Sequence, residues 1–262
     1  MSGQFILLVD IGNSAVKWCT LSADDQLSPM GHDYYPTKNI TPAFFNALWA
    51  DLDKPEKIVV SCVAKNNVWQ ALQKGCGNLW SLDAKRMSSP KKACGLTNAY
   101  EDVESLGSDR WFAMLGAFNQ QTTASSSSSS YLVVGCGSAI TLDIIDSEGL
   151  HQGGYILPGL AMMKKSLALE TANVCVDPEL SNPSLLPAKT TAGCVDAGIL
   201  LSAVKLIEAV FEQQSQHNPV RCYLAGGDAA VITDLLSIKY VIMPNLVLRG
   251  LAHFISSGEY DG

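Results

Sequence analysis

Phe5-Ile-Leu-Leu-Val-Asp-Ile-Gly-Asn-Ser-Ala-Val-Lys17 decides the fold: five apolar residues run into Asp10, then Ile11, Gly12, Asn13 and Ser14, with Lys17 seven residues after the carboxylate. A buried strand would deliver Asp10 to its C-terminal edge. Gly12 and Asn13 would then let the backbone turn through positive φ, so that amide N–H groups approach an anion. The plainer alternative is an ordinary hairpin start, because Asp, Gly and Asn are common turn residues. The pattern recurs. Tyr131-Leu-Val-Val134 enters Gly135-Cys136-Gly137-Ser138-Ala139, and Cys222-Tyr-Leu-Ala225 enters Gly226-Gly227-Asp228.

The 262 residues, 47% of them hydrophobic, suffice for one large domain or two smaller ones. A net charge of −7 argues against nucleic-acid binding, since a phosphate-tracking surface is basic. An anionic substrate would therefore need local cations. The eight cysteines are scattered without a Cys-x-x-Cys pair, which reads as buried thiols in a reducing compartment rather than a disulfide or zinc framework. No signal peptide and no run of about 20 apolar residues occurs, so the expected address is the cytosol, with no membrane partner.

Strands are expected near 5–9, 15–21, 28–35 and 57–61, with a helix near 41–52 and another after the fourth strand. The second half restarts with strands at 131–134, 139–145, 154–157 and 221–225, and a core helix over 190–214. Ser125 to Ser130 cannot bury apolar area and reads as a solvated linker. The chain is accordingly divided into 1–118 and 119–262. The duplication predicts two α/β domains with similar mixed sheets, their turns facing one cleft.

Neither the P-loop nor the dinucleotide fingerprint occurs. One glycine turn per half plus a later Gly-Gly-Asp resembles the layout of the sugar kinase, heat-shock protein and actin superfamily. That resemblance implies two RNase H-like domains around an interdomain nucleotide cleft. Between the halves lies Gly107-Ser108-Asp109-Arg110, followed by an apolar helical stretch to Phe118. Taken alone, Asp109 and Arg110 fit either a general base beside an anion anchor or a helix cap beside a surface charge.

Asp-x-Gly-Asn-Ser-x-x-Lys at residue 10, Gly-Ser-Asp-Arg at 107, Gly-Ser-Ala-x-Thr-x-Asp at 137 and Gly-Gly-x-Ile-x-Pro-Gly at 153 together resemble the type III pantothenate kinases, in order and separation. The resemblance implies ATP-dependent phosphorylation of pantothenate, the first step of coenzyme A synthesis. It implies that Asp10, Ile11, Gly12, Asn13, Ser14, Ala15, Val16 and Lys17 form the first phosphate segment, with Asp10 on Mg²⁺. Ser138, where the family carries Thr, would contact the triphosphate. Asp109 would accept the hydroxyl proton, Gly107, Ser108, Asp109 and Arg110 would line the pantothenate site, and Tyr100 and Thr191 match substrate-contacting positions. Members are dimers in which this Thr reaches the partner's substrate.

The chain departs from the pattern at Gly135, where the family places an Asp that binds a required K⁺ or NH₄⁺. Asp143, later on the same hairpin, is the nearby carboxylate that would have to take its place. Three outcomes fit: a kinase independent of K⁺, one with a relocated ion, or a catalytically weak paralogue acting as a ligand-binding regulatory or accessory protein.

Overall fold

The computed structural model describes residues 4–34, 40–120, 129–170 and 183–260. In chain order the elements are β1 (Phe5–Ile11), β2 (Ala15–Ser22), β3 (Gly31–Tyr34), α1 (Pro42–Leu48), β4 (Lys57–Cys62), α2 (Asn66–Trp80), β5 (Ala84–Met87), β6 (Lys92–Ala93), β7 (Leu96–Thr97), a 3₁₀ turn (Val103–Ser105) and α3 (Ser108–Phe118). There follow β8 (Ser130–Cys136), β9 (Ala139–Ile145), β10 (His151–Pro158), α4 (Leu160–Glu170), α5 (Thr191–Ser215), β11 (Val220–Ala225), α6 (Ala229–Thr233), β12 (Val241–Ile242) and α7 (Leu246–Ser256).

The main elements read from the sequence are present, most of them within a few residues of the expected bounds, and they form two sheets of the same design. The first has order β3-β2-β1-β4-β5 and the second β10-β9-β8-β11-β12. In each, the three sequential strands pair antiparallel and the last two join in parallel. The central strands β1 and β8 are apolar along most of their length because both faces are covered. One face of the first sheet sends Leu7, Val9, Ile11, Ile58 and Val60 into a core with Phe45 of α1, Trp49 at its C-cap, and Leu72 and Trp80 of α2. In the second, Leu132, Val134, Ile140 and Leu142 pack against Ile199, Leu200, Val204 and Ile207 of α5.

Two compact units result: residues 1–121 with 245–262, and residues 122–244. The C-terminal helix, grouped by the sequence reading with the second half, packs in the first unit instead. Its partner there is α3, and glycines make the crossing: a Cβ on Gly250 would lie 1.9 Å from the carbonyl oxygen of Phe112, and one on Gly116 2.4 Å from that of Leu246. Ser125 to Ser128 lie outside the described residues. Ser129 and Ser130, expected in a solvated linker, are buried, and Ser130 opens β8 by donating its N–H to Pro219 at 2.9 Å. Strand pairing, which uses backbone groups, overrides the polarity of the side chain there. The seven described cysteines are free. No helix among the described residues is long and apolar enough to cross a membrane.

Candidate active site

Asp10 is the next-to-last residue of β1, opposite Lys17 on antiparallel β2 and Ser61 on parallel β4. Carboxyl ends of strands in open α/β sheets are where ligands bind, because loops diverge there and leave a crevice. The turn closes with the Gly12 N–H donating to Ala15 at 3.1 Å. Gly12 and Asn13 do not take the expected positive φ. What Gly12 supplies is space: the nearest heavy atom to a Cβ there would be 3.9 Å away, so no side chain bars an anion from the backbone.

Burial raises the Asp10 carboxyl to about 7, Lys17 opposes that shift, and the nearby Asp109 carboxylate adds to it. Asp10 Oδ1 is buried with no hydrogen-bond partner among the described residues. Asp109 lies in the first turn of α3, where Oδ1 accepts the Arg110 N–H at 2.8 Å. A Cβ on Gly107 would sit 2.6 Å from that same oxygen, so a side chain there would displace the Asp109 carboxylate from its present position. Arg110 is 8% exposed, donates from Nη1 to Tyr100 Oη at 2.9 Å and stands 5.7 Å from that ring's centroid. The first unit thus gathers Asp10, Lys17 and Asp109 in one electrostatic neighbourhood and joins Tyr100 to Arg110.

Ser138 and Thr191 lie in the second unit. Ser138 is exposed in the tight turn between β8 and β9, which closes with the Gly137 N–H on Ala139 at 3.1 Å. Two distant motifs converge on this turn. Gly159 donates its N–H to the Ser138 carbonyl at 3.0 Å, and Asp228 donates its N–H to the Cys136 carbonyl at 3.1 Å. Gly226 makes that approach possible, with φ +115° and its would-be Cβ 2.0 Å from the same carbonyl oxygen. Cys136 takes no part as a nucleophile, since burial pushes its thiol up to about 12. Thr191 begins α5, whose Thr190 cap accepts the Gly193 N–H at 3.2 Å. It lines a groove of about 440 Å³ with Met163, Leu167, Val195 and Ile199.

Gly135 faces Thr141 across the β8–β9 ladder, and a Cβ there would come within 2.7 Å of Thr141 Oγ1. Asp143 sits one rung further along the same face. It is 2% exposed, and its Oδ1 meets His151 Nε2 at 3.1 Å. Several buried polar pairs went unremarked in the sequence: Asp143 with His151, Lys164 with Asp196 at 2.8 Å, and Ser61 with Ser108 at 3.0 Å. No short-range spacing signals them, because each joins separate elements or strands.

The family model for type III pantothenate kinases matches residues 6–213. Relatives of that description include a protein of Nitrosococcus oceani, 36% identical over 249 residues and covering 94% of this chain and 92% of its own, and one of Chromohalobacter salexigens, 34% identical with coverages of 94% and 85%. Among solved structures, a Campylobacter jejuni protein assigned to the Baf family of transcriptional activators aligns with TM-score 0.60 at 22% identity over 97% of this chain and 98% of that one. The activator of 2-hydroxyisocaproyl-CoA dehydratase from Clostridium difficile, with bound ADPNP, aligns with TM-score 0.52 at 14% identity, covering 99% of both. The chain, with its two mixed five-stranded sheets, shares the fold of these neighbours. With its family model spanning most of the sequence and relatives above 30% identity over nearly the full length, the chain belongs to the type III pantothenate kinase family.

Proposed function

We propose that this chain transfers the γ-phosphoryl group of ATP to the primary hydroxyl of pantothenate, giving 4'-phosphopantothenate and ADP, at a site centred on Asp10 and Asp109. The observation that carries the reading is the buried Asp10 Oδ1, without a partner among the described residues, held next to Lys17 on one side and influenced by the Asp109 carboxylate.

Phosphoryl transfer asks a protein mainly to position reactants and neutralise charge. The hydroxyl oxygen forms a bond to the γ-phosphorus as the bond to the β–γ bridging oxygen breaks, and Asp109 takes the hydroxyl proton. Residues 10–17 hold phosphate oxygens through backbone N–H groups, the Ser14 hydroxyl and the Lys17 ammonium. Ser138 binds the triphosphate from the second glycine turn. Arg110, braced by Tyr100, directs its planar fork toward anionic oxygens of pantothenate, and Gly107 and Ser108 line that site.

The residues fit Mg²⁺. Asp10 offers a carboxylate oxygen with no competing donor, and no cluster of three acidic, His or Cys ligands occurs among the described residues. One carboxylate with phosphates and water is how Mg²⁺ is commonly held, and the ion would supply charge neutralisation for the phosphate oxygens. The residues do not fit a monovalent cation at the second turn. Gly135 has no carboxylate, Thr141 occupies the space beside it, and Asp143 is engaged by His151. No step is routed through such an ion.

A homodimer agrees with the family pattern and with the apolar residues exposed on β10, α4 and α5, among them Ile156, Met162, Leu167 and Leu201. Thr191 in the apolar groove is then available to a partner's substrate. Cytosolic placement is consistent with free thiols and an ATP substrate.

The test is ADP formation with ATP, Mg²⁺ and pantothenate, first in K⁺ and then in Na⁺ buffer. Equal turnover in both is expected; no ADP in either overturns the kinase reading. Asp109→Asn should lower kcat by about 10²- to 10⁴-fold while ATP affinity stays nearly unchanged. Gly135 favours one second reading, a ligand-binding paralogue. Calorimetric binding of pantothenate without turnover would establish it.

A further inference from the structure

The phosphotransfer reading leaves Ser61 without a role, yet its surroundings single it out. It is fully buried near the end of β4, and its hydroxyl meets that of Ser108 at 3.0 Å. Ser108 is itself 7% exposed and immediately precedes Asp109 in the first turn of α3. In the parallel β1–β4 ladder Asp10 and Ser61 are register partners, so their side chains leave the sheet on the same face. The opposite face carries Val9, Ile11, Val60 and Cys62 into the core with α1 and α2. Two adjacent residues of the sheet edge therefore address two adjacent residues of the helix: Ser61 bonds Ser108, and Asp10 senses Asp109.

The end of β4 is fixed from other directions as well. Arg86 donates from Nε and Nη2 to the Cys62 carbonyl at 3.1 and 2.6 Å, and the Val63 N–H reaches the Ile11 carbonyl at 3.1 Å. Ser61 is thus a rigid post rather than a mobile side chain. The helix it holds has no side-chain N-cap of its own, Gly107 standing at that position.

Resting on the kinase reading above, we infer that Ser61 is a positioning residue for the reaction: its hydroxyl docks Ser108 and thereby sets the separation of Asp109 from Asp10. It touches neither ATP nor pantothenate. Removing it leaves Ser108 Oγ without this partner and frees the first turn of α3 to shift, and displacement of a reacting group by about 1 Å costs up to 10²-fold in rate.

Ser61→Ala is expected to lower kcat about tenfold while KM for ATP stays within twofold. Ser108→Ala breaks the same bond from the helix side and reads the pair a second time, and the double variant should be no slower than Ser108→Ala. Val59→Ala, fully buried one rung away on the same face of β4 and without a hydroxyl, controls for general loosening and should keep kcat within twofold. Kinetics are taken well below each variant's melting midpoint. Turnover in the unaltered chain with kcat for Ser61→Ala or Ser108→Ala within twofold of it overturns the inference alone, as does an equal loss in Val59→Ala. Absence of turnover in the unaltered chain overturns the kinase reading and this inference with it.

Discussion

At the scale of the residue, Asp10 shows how a functional site is held against stability. A carboxyl raised by folding from 3.8 to about 7 binds its proton more tightly in the folded state. Stability is therefore greatest below pH 3.8 as far as this group is concerned, and falls as pH rises from there to about 7. The full cost at pH 8 is about 4 kcal/mol from that shift. Asp10→Asn should accordingly melt higher than the unaltered protein at pH 8 in the absence of nucleotide and Mg²⁺, with the gap closing toward pH 4. Scanning calorimetry across that range checks it; a lower midpoint for the variant at pH 8 would contradict the burial argument. The same variant should lose most turnover. Asp10 is legible in the sequence as a carboxylate at a strand end, whereas its oxygen without a partner among the described residues is not, because burial there depends on segments distant along the chain, α7 packing on β1 among them.

At the scale of the element, the α3–α7 crossing decides where Asp109 stands. Gly116 and Gly250 let the two helices approach until backbone meets backbone, and the sequence shows them only as glycines within apolar helical stretches. Gly250→Ala inserts a methyl group where the Phe112 carbonyl oxygen already lies. Overpacking of this kind costs about 1–3 kcal/mol, so the thermal midpoint should fall by several degrees. Because α3 would be pushed at its middle, kcat should drop with it. An unchanged midpoint would show that the helices can part freely. The β8–β9 turn teaches the complementary point. Ser138 and the two motifs that bond its turn, at Gly159 and Asp228, were each visible as local patterns, but their convergence on residues 136–138 comes from the order of strands in the sheet.

At the scale of the whole molecule, each unit builds a sheet of one topology and places a glycine turn after its first strand. The exposed apolar side chains of the second unit predict self-association. Light scattering should give twice the monomer mass at micromolar concentration, and Leu167→Glu, in the groove that holds Thr191, should shift it to the monomer and reduce turnover. A monomeric unaltered chain would remove the dimer from the proposal. Unlike the strand pattern, the membership of residues 245–262 in the first unit was hidden, because an amphipathic helix such as α7 carries no label for which sheet it will cover.

The sequence by itself determined the local patterns: apolar runs ending in glycine turns, the charged residues that follow them, and four motifs in register with one kinase family. These are local properties, set by side-chain burial and backbone permissiveness within a few residues. The tertiary structure alone decided that Ser61 sits under Ser108, that Asp143 is taken by His151, and that Asp10 keeps an oxygen without a donor among the described residues. Burial, long-range hydrogen bonds and shifted protonation arise only when distant segments exclude water together, and no spacing along the chain encodes that.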